Sequence, residues 1–298
     1  GLGDDIFRFF AGWGDDLLSD LGGLDPFDFS SISFALTFVI AGAGLTVSGG
    51  GNSLTETGNL IERLLSGSGD DAFEFSGDGI SLAGGGGGTY IDGGGGTNRL
   101  DYQAYGAASP VHVNLSSTPL LLPAHSATGL NNGLADGIAN INDVLSGSGS
   151  DTLLGDGTAN VFRSGPGNDY VDGQGGVDTL DESNVSVDLT IDLGQLGAQV
   201  TGLGTDTVLD IENLLTGSGH DKLTSSTADN LLSGGLGNDT YLFKDNWGSD
   251  TVLDTGGNDA LDFSGVTVLG GTSLTFTFDG TTINVVDAAS NHVAADSQ

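Results

Sequence analysis

The chain contains no cysteine and no methionine. Without cysteine there is no disulfide framework, so any stapling of small folded pieces has to come from bound metal. Basic residues are scarce: six Lys and Arg stand against 40 Asp and Glu, for a formal charge of −34. Phosphate binding needs a Lys/Arg surface, which excludes nucleic acid as a partner. Long apolar runs are missing too. The most apolar stretch, Phe34 to Leu45, is interrupted by glycine and is shorter than the roughly 18 residues of a membrane-spanning helix, so no transmembrane segment is expected. The start lacks the basic residues of a secretory signal, and the absence of Met at position 1 suggests a processed secreted chain or a fragment of a longer one.

Glycine and aspartate are abundant instead, and they recur together. The pattern Gly-x-Gly-x-Asp-x-apolar places its acid at Asp5, Asp16, Asp71, Asp151, Asp169, Asp206, Asp221 and Asp239. Looser copies at Asp178, Asp250 and Asp259 keep the nearer glycine, and a further copy has Asn98 in place of the acid. The fullest copy runs Gly234-Gly235-Leu236-Gly237-Asn238-Asp239-Thr240-Tyr241-Leu242-Phe243. Its glycines can adopt turn conformations closed to other residues and aim carbonyls at an ion. The aspartate adds a carboxylate, and this all-oxygen mixture suits a hard cation such as Ca²⁺. One Ca²⁺ for each of the eleven Asp sites would add 22 positive charges and leave about −12 of the −34, relieving the self-repulsion of a compact acidic fold. With calcium the chain is expected to fold, and without it to be disordered.

Residues 4–21 resemble an amphipathic helix at first sight, with Ile6, Phe9, Phe10, Trp13, Leu17 and Leu21 on one side. A longer comparison overrides that pattern. Residues 1–30 match residues 235–264 without a gap: Trp13-Gly14-Asp15-Asp16 falls on Trp247-Gly248-Ser249-Asp250, and Asp28-Phe29-Ser30 on Asp262-Phe263-Ser264. The N-terminal stretch therefore reads as strands and turns. A second signature, Ile61-Glu62-Arg63-Leu64-Leu65, recurs at Ile141-Asn142-Asp143-Val144-Leu145 and at Ile211-Glu212-Asn213-Leu214-Leu215, in steps of 80 and 70 residues. Between the signatures lie alternating runs such as Val185–Ile191, Val111–Leu115, Leu274–Phe278 and Ala35–Val39, the period-2 mark of half-buried strands. The organisation expected is a partial first module over 1–60, a second over 61–140 with a spacer at 104–139, a third over 141–210 and a fourth with the tail over 211–298, in one continuous solenoid.

These motifs resemble the haemolysin-type calcium-binding (RTX) repeats, in a divergent long-module form found in large secreted and surface proteins of bacteria. The resemblance covers nearly the whole chain except the spacer and the tail after Val286. It implies an all-β fold, a right-handed parallel β-roll or β-solenoid with Ca²⁺-binding Gly/Asp turns. Several Ca²⁺ ions would be held between successive turns by the motif aspartates and by Gly67, Gly69, Gly147, Gly149, Gly165, Gly167, Gly217, Gly219, Gly235 and Gly237. Asn98 and the polyglycine turns are expected to hold none. The resemblance also implies export by a type I secretion system, folding outside the cell and an extracellular or cell-surface location.

No catalytic constellation is apparent. The histidines, His112, His125, His220 and His292, are scattered without zinc-like spacing, and His220 reads as a solvated turn residue. There is no Gly-x-Ser-x-Gly elbow, P-loop lysine or cysteine nucleophile. The pairs Asp15-Asp16 and Asp70-Asp71 invite comparison with glycosidase carboxylates, but they lie inside the turn motif, which favours ion ligation. Trp13 and Trp247 hold equivalent module positions, which favours packing over a sugar platform. The reading is a non-enzymatic calcium-binding structural repeat protein. Apolar residues near both ends lead to an expected partnership with copies of itself, head to tail in a filament or surface layer, with cell-surface attachment possible. The alternatives are an adhesin segment and the non-catalytic secretion or folding region of a larger exported protein.

Overall fold

Alternating apolar residues bounded by glycine-rich turns leave each segment long enough for a short strand and too short for a helix. The computed structural model describes residues 3–19, 23, 25–42, 44–57, 61–77, 90–119, 126–129, 136–267, 274–278, 282–286 and 291–296. Among them are 30 strands and no helix. The N-terminal stretch forms the strands Phe7–Arg8, Asp15–Leu18 and Asp25–Asp28, as the match to residues 235–264 requires.

The chain packs as two compact units, Gly1–Asn160 with Ser164–Gly167, and Val161–Arg163 with Asn168–Gln298. In the first unit one row of paired strands runs Phe7–Arg8, Asp25–Asp28, Ile61–Leu65, Tyr90–Asp92, Asp136–Ala139, Ser126–Gly129, Val111–Asn114, Thr152–Leu154. Its second row runs Asp15–Leu18, Asn52–Thr57, Gly44–Gly49, Thr37–Ala41, Ala72–Phe75, Arg99–Asp101, Asp143–Leu145. In the second unit Thr190–Asp192, Lys222–Thr224, Thr240–Lys244 and Ala260–Gly265 form one row, parallel throughout. Another row begins Val161–Arg163, Thr179–Asp181, Asn213–Leu215, Leu231–Ser233, Ser249–Val252.

Register explains the repeat length. Leu214 pairs with Leu232 and Leu223 with Tyr241, a coil of 18 residues that carries two turns and two strands. Longer coils absorb insertions without shifting the inward residue. Leu64, Ile91 and Ile138 lie side by side in the first unit, and none is more than 2% exposed. Burying each such side chain stabilises the fold by about 1.5–3 kcal/mol over leaving it in water. Where the inward position is aromatic the rings stack: Phe9 on Phe29 at 4.4 Å, Phe38 on Phe73 at 4.7 Å and Phe75 on Tyr102 at 4.2 Å between centroids. Trp247 is 1% exposed and meets Phe243 and Phe263 edge-on.

Antiparallel strands interrupt the parallel rows in a repeated way. Thr37–Ala41, Gly44–Gly49 and Asn52–Thr57 form a meander beside Asp15–Leu18. Thr275–Phe278, Thr282–Val286 and His292–Asp296 form the same meander beside Ser249–Val252, so Phe38, Val47, Leu54 and Asp16 correspond to Phe276, Val285, Val293 and Asp250. The spacer and the tail thus differ from the expectation that both lie outside the repeat. Val111–Asn114, Ser126–Gly129 and Asp136–Ala139 pair within a row, and His292–Asp296 pairs parallel to Ser249–Val252. An edge N–H and C=O left unpaired are costly, and any neighbouring extended segment can satisfy them. Most of the decayed polyglycine turn, residues 78–89, lies outside the described residues.

Candidate metal centre

Turns stack because the coils do, and each turn leaves a backbone N–H directed along the stack. The motif aspartates accept those N–H groups. Oδ1 of Asp221 accepts from Leu189 at 2.7 Å, Asp239 from Asp221 at 2.7 Å and Asp259 from Asp239 at 2.9 Å. The same rung recurs from Leu36 to Asp71, Val111 to Asp151, Asp169 to Asp206 and Asn230 to Asp250. Hydrogen bonds to a charged acceptor are worth about 1.5–3 kcal/mol each. They also hold ionisable groups in the interior, since Asp71, Asp239 and Asp250 are each 1% exposed.

The acid of the fullest motif sits in a distinct setting. Asp239 Oδ2 is buried and has no hydrogen-bond partner. Carboxylate oxygens of Asp239, Asp254 and Asp259 lie within 4.8 Å of one another. Two oxygens on opposite sides of one Ca²⁺ reach about 5.2 Å apart at ligand distances of roughly 2.6 Å, so the three carboxylates are close enough together to share a single ion. Tyr241 orients the cluster: its hydroxyl donates to Asp254 Oδ2 at 2.6 Å and accepts the Gly234 N–H at 2.7 Å. Burial, reinforced by the charges of Asp221, Asp254 and Asp259, pushes the Asp239 carboxyl up to about 6. Burial likewise pushes Asp250 up to about 7 and drives Tyr241 upward. Carboxyls so disfavoured as anions are suited to a cation that restores the charge balance.

Other turns are closed by protein groups. Ser66 Oγ donates to Asp71 Oδ2, and Thr201 Oγ1 donates to Asp206 Oδ2. Asn98, 0% exposed, accepts the Asp71 N–H and extends its amide Nδ2 to the carbonyls of Asn140 at 2.9 Å and Gly95 at 3.2 Å. An amide donor there replaces the attraction a cation would exert on those carbonyls. Asp5 and Asp16 are exposed. Asp151, Asp169 and Asp178 are buried rungs. Of the eleven sequence candidates, the described structure gathers only Asp239 and Asp259 into a three-carboxylate cluster, with Asp254 as the third member.

The candidate glycines pack against the backbone of the adjacent turn. A side chain on Gly235 would meet Gly217 O at 2.1 Å, one on Gly237 would meet Gly219 O at 1.8 Å and one on Gly165 would meet Gly147 O at 2.2 Å. The carbonyl of Gly67 accepts the Gly95 N–H and that of Gly217 accepts the Leu236 N–H, both at 2.8 Å. Cβ atoms at Gly69 and Gly149 would strike Phe34 and Pro110 of neighbouring turns. Gly167 begins the turn that carries Asn168 Oδ1 to the Thr205 N–H.

Three functional positions escaped the motif. Asp254 stands where the full motif has its first glycine. Asp25 and Glu62 extend the rungs, from Asp5 N–H to Asp25 and from Asp25 N–H to Glu62 Oε2 at 2.8 Å. Glu62, Asn142 and Glu212 share the second position of the Ile-x-x-Leu-Leu signature, and all three accept a backbone N–H from an earlier coil. An acceptor in every copy of that position was the available signal. His220 is exposed, as expected, yet belongs to an outer ladder: its N–H donates to Asp188, and its Nδ1 accepts from Asn238 at 2.8 Å.

Residues 142–180 and 210–242 match the RTX calcium-binding nonapeptide repeat, in four copies. No curated protein matches the chain. The nonapeptide is half of the 18-residue coil, and the matched segments hold the rungs at Asp151, Asp169, Asp221 and Asp239. These two stretches thus carry RTX calcium-binding nonapeptide repeats, a kind of repeat typical of secreted bacterial proteins.

Proposed function

We propose that the chain is a secreted structural repeat protein of the cell exterior that folds on Ca²⁺ and joins copies of itself head to tail into a filament or surface layer. Buried carboxylates stacked coil upon coil carry this reading. Asp221, Asp239 and Asp259 follow one another in a single ladder of a chain with net charge −34. Such a stack opposes its own folding until cations enter it. That property favours a chain that leaves the cell unfolded by type I secretion and folds outside, where Ca²⁺ is plentiful. The ladder has a structural role in this reading and no substrate.

Support for self-association comes from one edge. Phe38 is 0% exposed because Ala72–Phe75 pairs with its strand and Phe73 covers its ring. Its counterpart Phe276 is 59% exposed, and Thr275–Phe278 is paired on one side only among the described residues. An apolar edge strand is a template for another chain, and a heterologous contact of that kind propagates as a fibre unless it closes into a ring. Circular dichroism with and without chelator tests the folding step: a β spectrum that ignores chelator overturns it. Electron microscopy in Ca²⁺ tests assembly, where fibres that dissolve in chelator are expected and uniformly dispersed monomers rule it out.

A further inference from the structure

The residue five positions before the acid differs from one aspartate turn to the next, and a hydroxyl there does not always reach the acid: Thr216, five before Asp221, donates to the carbonyls of Ser233 and Gly234 instead. In two turns this residue is a hydroxyl that occupies the acid's second oxygen: Ser66 on Asp71 and Thr201 on Asp206. Oδ1 of each is already taken, by the Leu36 N–H at 2.6 Å and the Asp169 N–H at 2.8 Å. These carboxylates are 1% and 3% exposed, with both oxygens engaged by protein donors. Nothing in either turn calls for an ion.

At Asp239 the corresponding residue is Gly234. A Cβ there would lie 2.3 Å from Asp239 Oδ2, so the oxygen occupies the space a serine side chain would fill. Gly234 has no left-handed φ, so the backbone itself does not demand glycine. What glycine provides is room for Oδ2 beside it, where the oxygen also reaches the carboxylates of the next coil. The oxygen is buried, lacks a hydrogen-bond partner and lies in the cluster with Asp254 and Asp259. Asp254 holds the corresponding place, five before Asp259, on that next coil. It brings a carboxylate where the other two turns have a hydroxyl, and Tyr241 and the Gly256 N–H hold both of its oxygens in place.

We propose that at the Asp71, Asp206 and Asp239 turns this position decides whether a cation enters. A hydroxyl at Ser66 or Thr201 closes the turn without an ion, whereas Gly234 opens Asp239 to one Ca²⁺ shared with Asp254 and Asp259. The chain therefore binds fewer ions than it has motif aspartates, because part of the ladder is sealed by its own hydroxyls. The cation at the open turn is Ca²⁺, whose flexible oxygen shell suits carboxylates from two coils, in preference to Mg²⁺, which demands near-ideal octahedral geometry and keeps most of its waters.

This inference rests on the calcium reading above, and the experiment separates the two. Equilibrium dialysis of the full chain against Ca²⁺ gives ions per chain, and Tb³⁺ luminescence excited through Tyr241 reports the site directly. Asp254→Asn keeps the side chain's shape and one of its two acceptor oxygens while removing the charge, and is expected to remove one ion and the Tyr241-sensitised emission. Gly234→Ser is expected to remove the same ion, whereas Ser66→Ala leaves the count unchanged. A wild-type chain that binds no Ca²⁺ overturns the calcium reading itself. A wild-type chain that binds Ca²⁺, with a count unaltered in Asp254→Asn, overturns only the site. Loss of an ion in Ser66→Ala overturns the sealing role of the hydroxyl. If Gly234→Ser does not fold in Ca²⁺, the other two variants decide.

Discussion

Replacing Glu62 tests whether the ladder is held by acceptors or by charge. Glu62 is 5% exposed, and its Oε2 accepts the N–H of Asp25, which is itself 0% exposed, at 2.8 Å. Glu62→Ala removes the acceptor and leaves a buried N–H without this partner, which costs about 1–3 kcal/mol, and the bond lost is of the charged class worth about 1.5–3 kcal/mol. A destabilisation of about 2 kcal/mol is expected. An opposing effect exists, because deleting one negative charge relieves repulsion in a −34 chain. For charges about 10 Å apart that relief is roughly 0.4 kcal/mol in water and about 1.7 kcal/mol at the effective dielectric of a buried site, before screening. Glu62→Gln relieves the same repulsion but keeps a carbonyl acceptor, so it should cost less than about 1 kcal/mol. The difference between the two variants isolates the hydrogen bond. Urea unfolding at saturating Ca²⁺ reads it as a shift in midpoint at constant slope. If Gln is as damaging as Ala, or Ala costs nothing, the rung does not stabilise the fold as argued. Glu212→Ala, which removes the acceptor of the Asp178 N–H, should behave in the same way.

Acidity should move the calcium-free chain in a definite direction. Asp250 titrates near 7 and Asp239 near 6 when folded, against 3.8 for an ordinary Asp, so the folded state holds the extra protons between about pH 4 and 7. Stability from these groups is then present at low pH and lost as pH rises through those values; circular dichroism in calcium-free buffer should show more β structure at pH 5 than at pH 8, and the reverse order contradicts the burial argument. In the presence of Ca²⁺ the midpoint concentration should rise as pH falls, because protons and the ion compete for the same oxygens. Trp247→Ala should cost about 3–5 kcal/mol in thermal or urea unfolding, as the ring is 1% exposed between Phe243 and Phe263; a loss below about 1 kcal/mol means the second unit is loosely packed there. Phe276→Asp should abolish Ca²⁺-dependent particle growth in light scattering while leaving the folded spectrum intact, and undiminished growth removes that edge from the assembly.

Much of this protein is determined by local sequence. Glycine spacing and period-2 alternation dictate short strands and turns, and the match of residues 1–30 to 235–264 is enough to overrule a helix at Ile6 to Leu21, because both segments must obey one coil. The motif likewise marks which carboxylates turn inward. It does not say what each one meets, since the partner lies a coil away and coils differ in length. The rungs span 18 residues at Asp221 to Asp239, 37 at Asp25 to Glu62 and 44 at Asn98 to Asn142. Asp254 carries no motif of its own; stacking the next coil brings it against Asp239, and Tyr241 then fixes its direction. Phe38 and Phe276 occupy the same place in the same meander, yet one is sealed and the other exposed. Burial is a property of the neighbouring strand, and only the tertiary structure decides whether that neighbour is present.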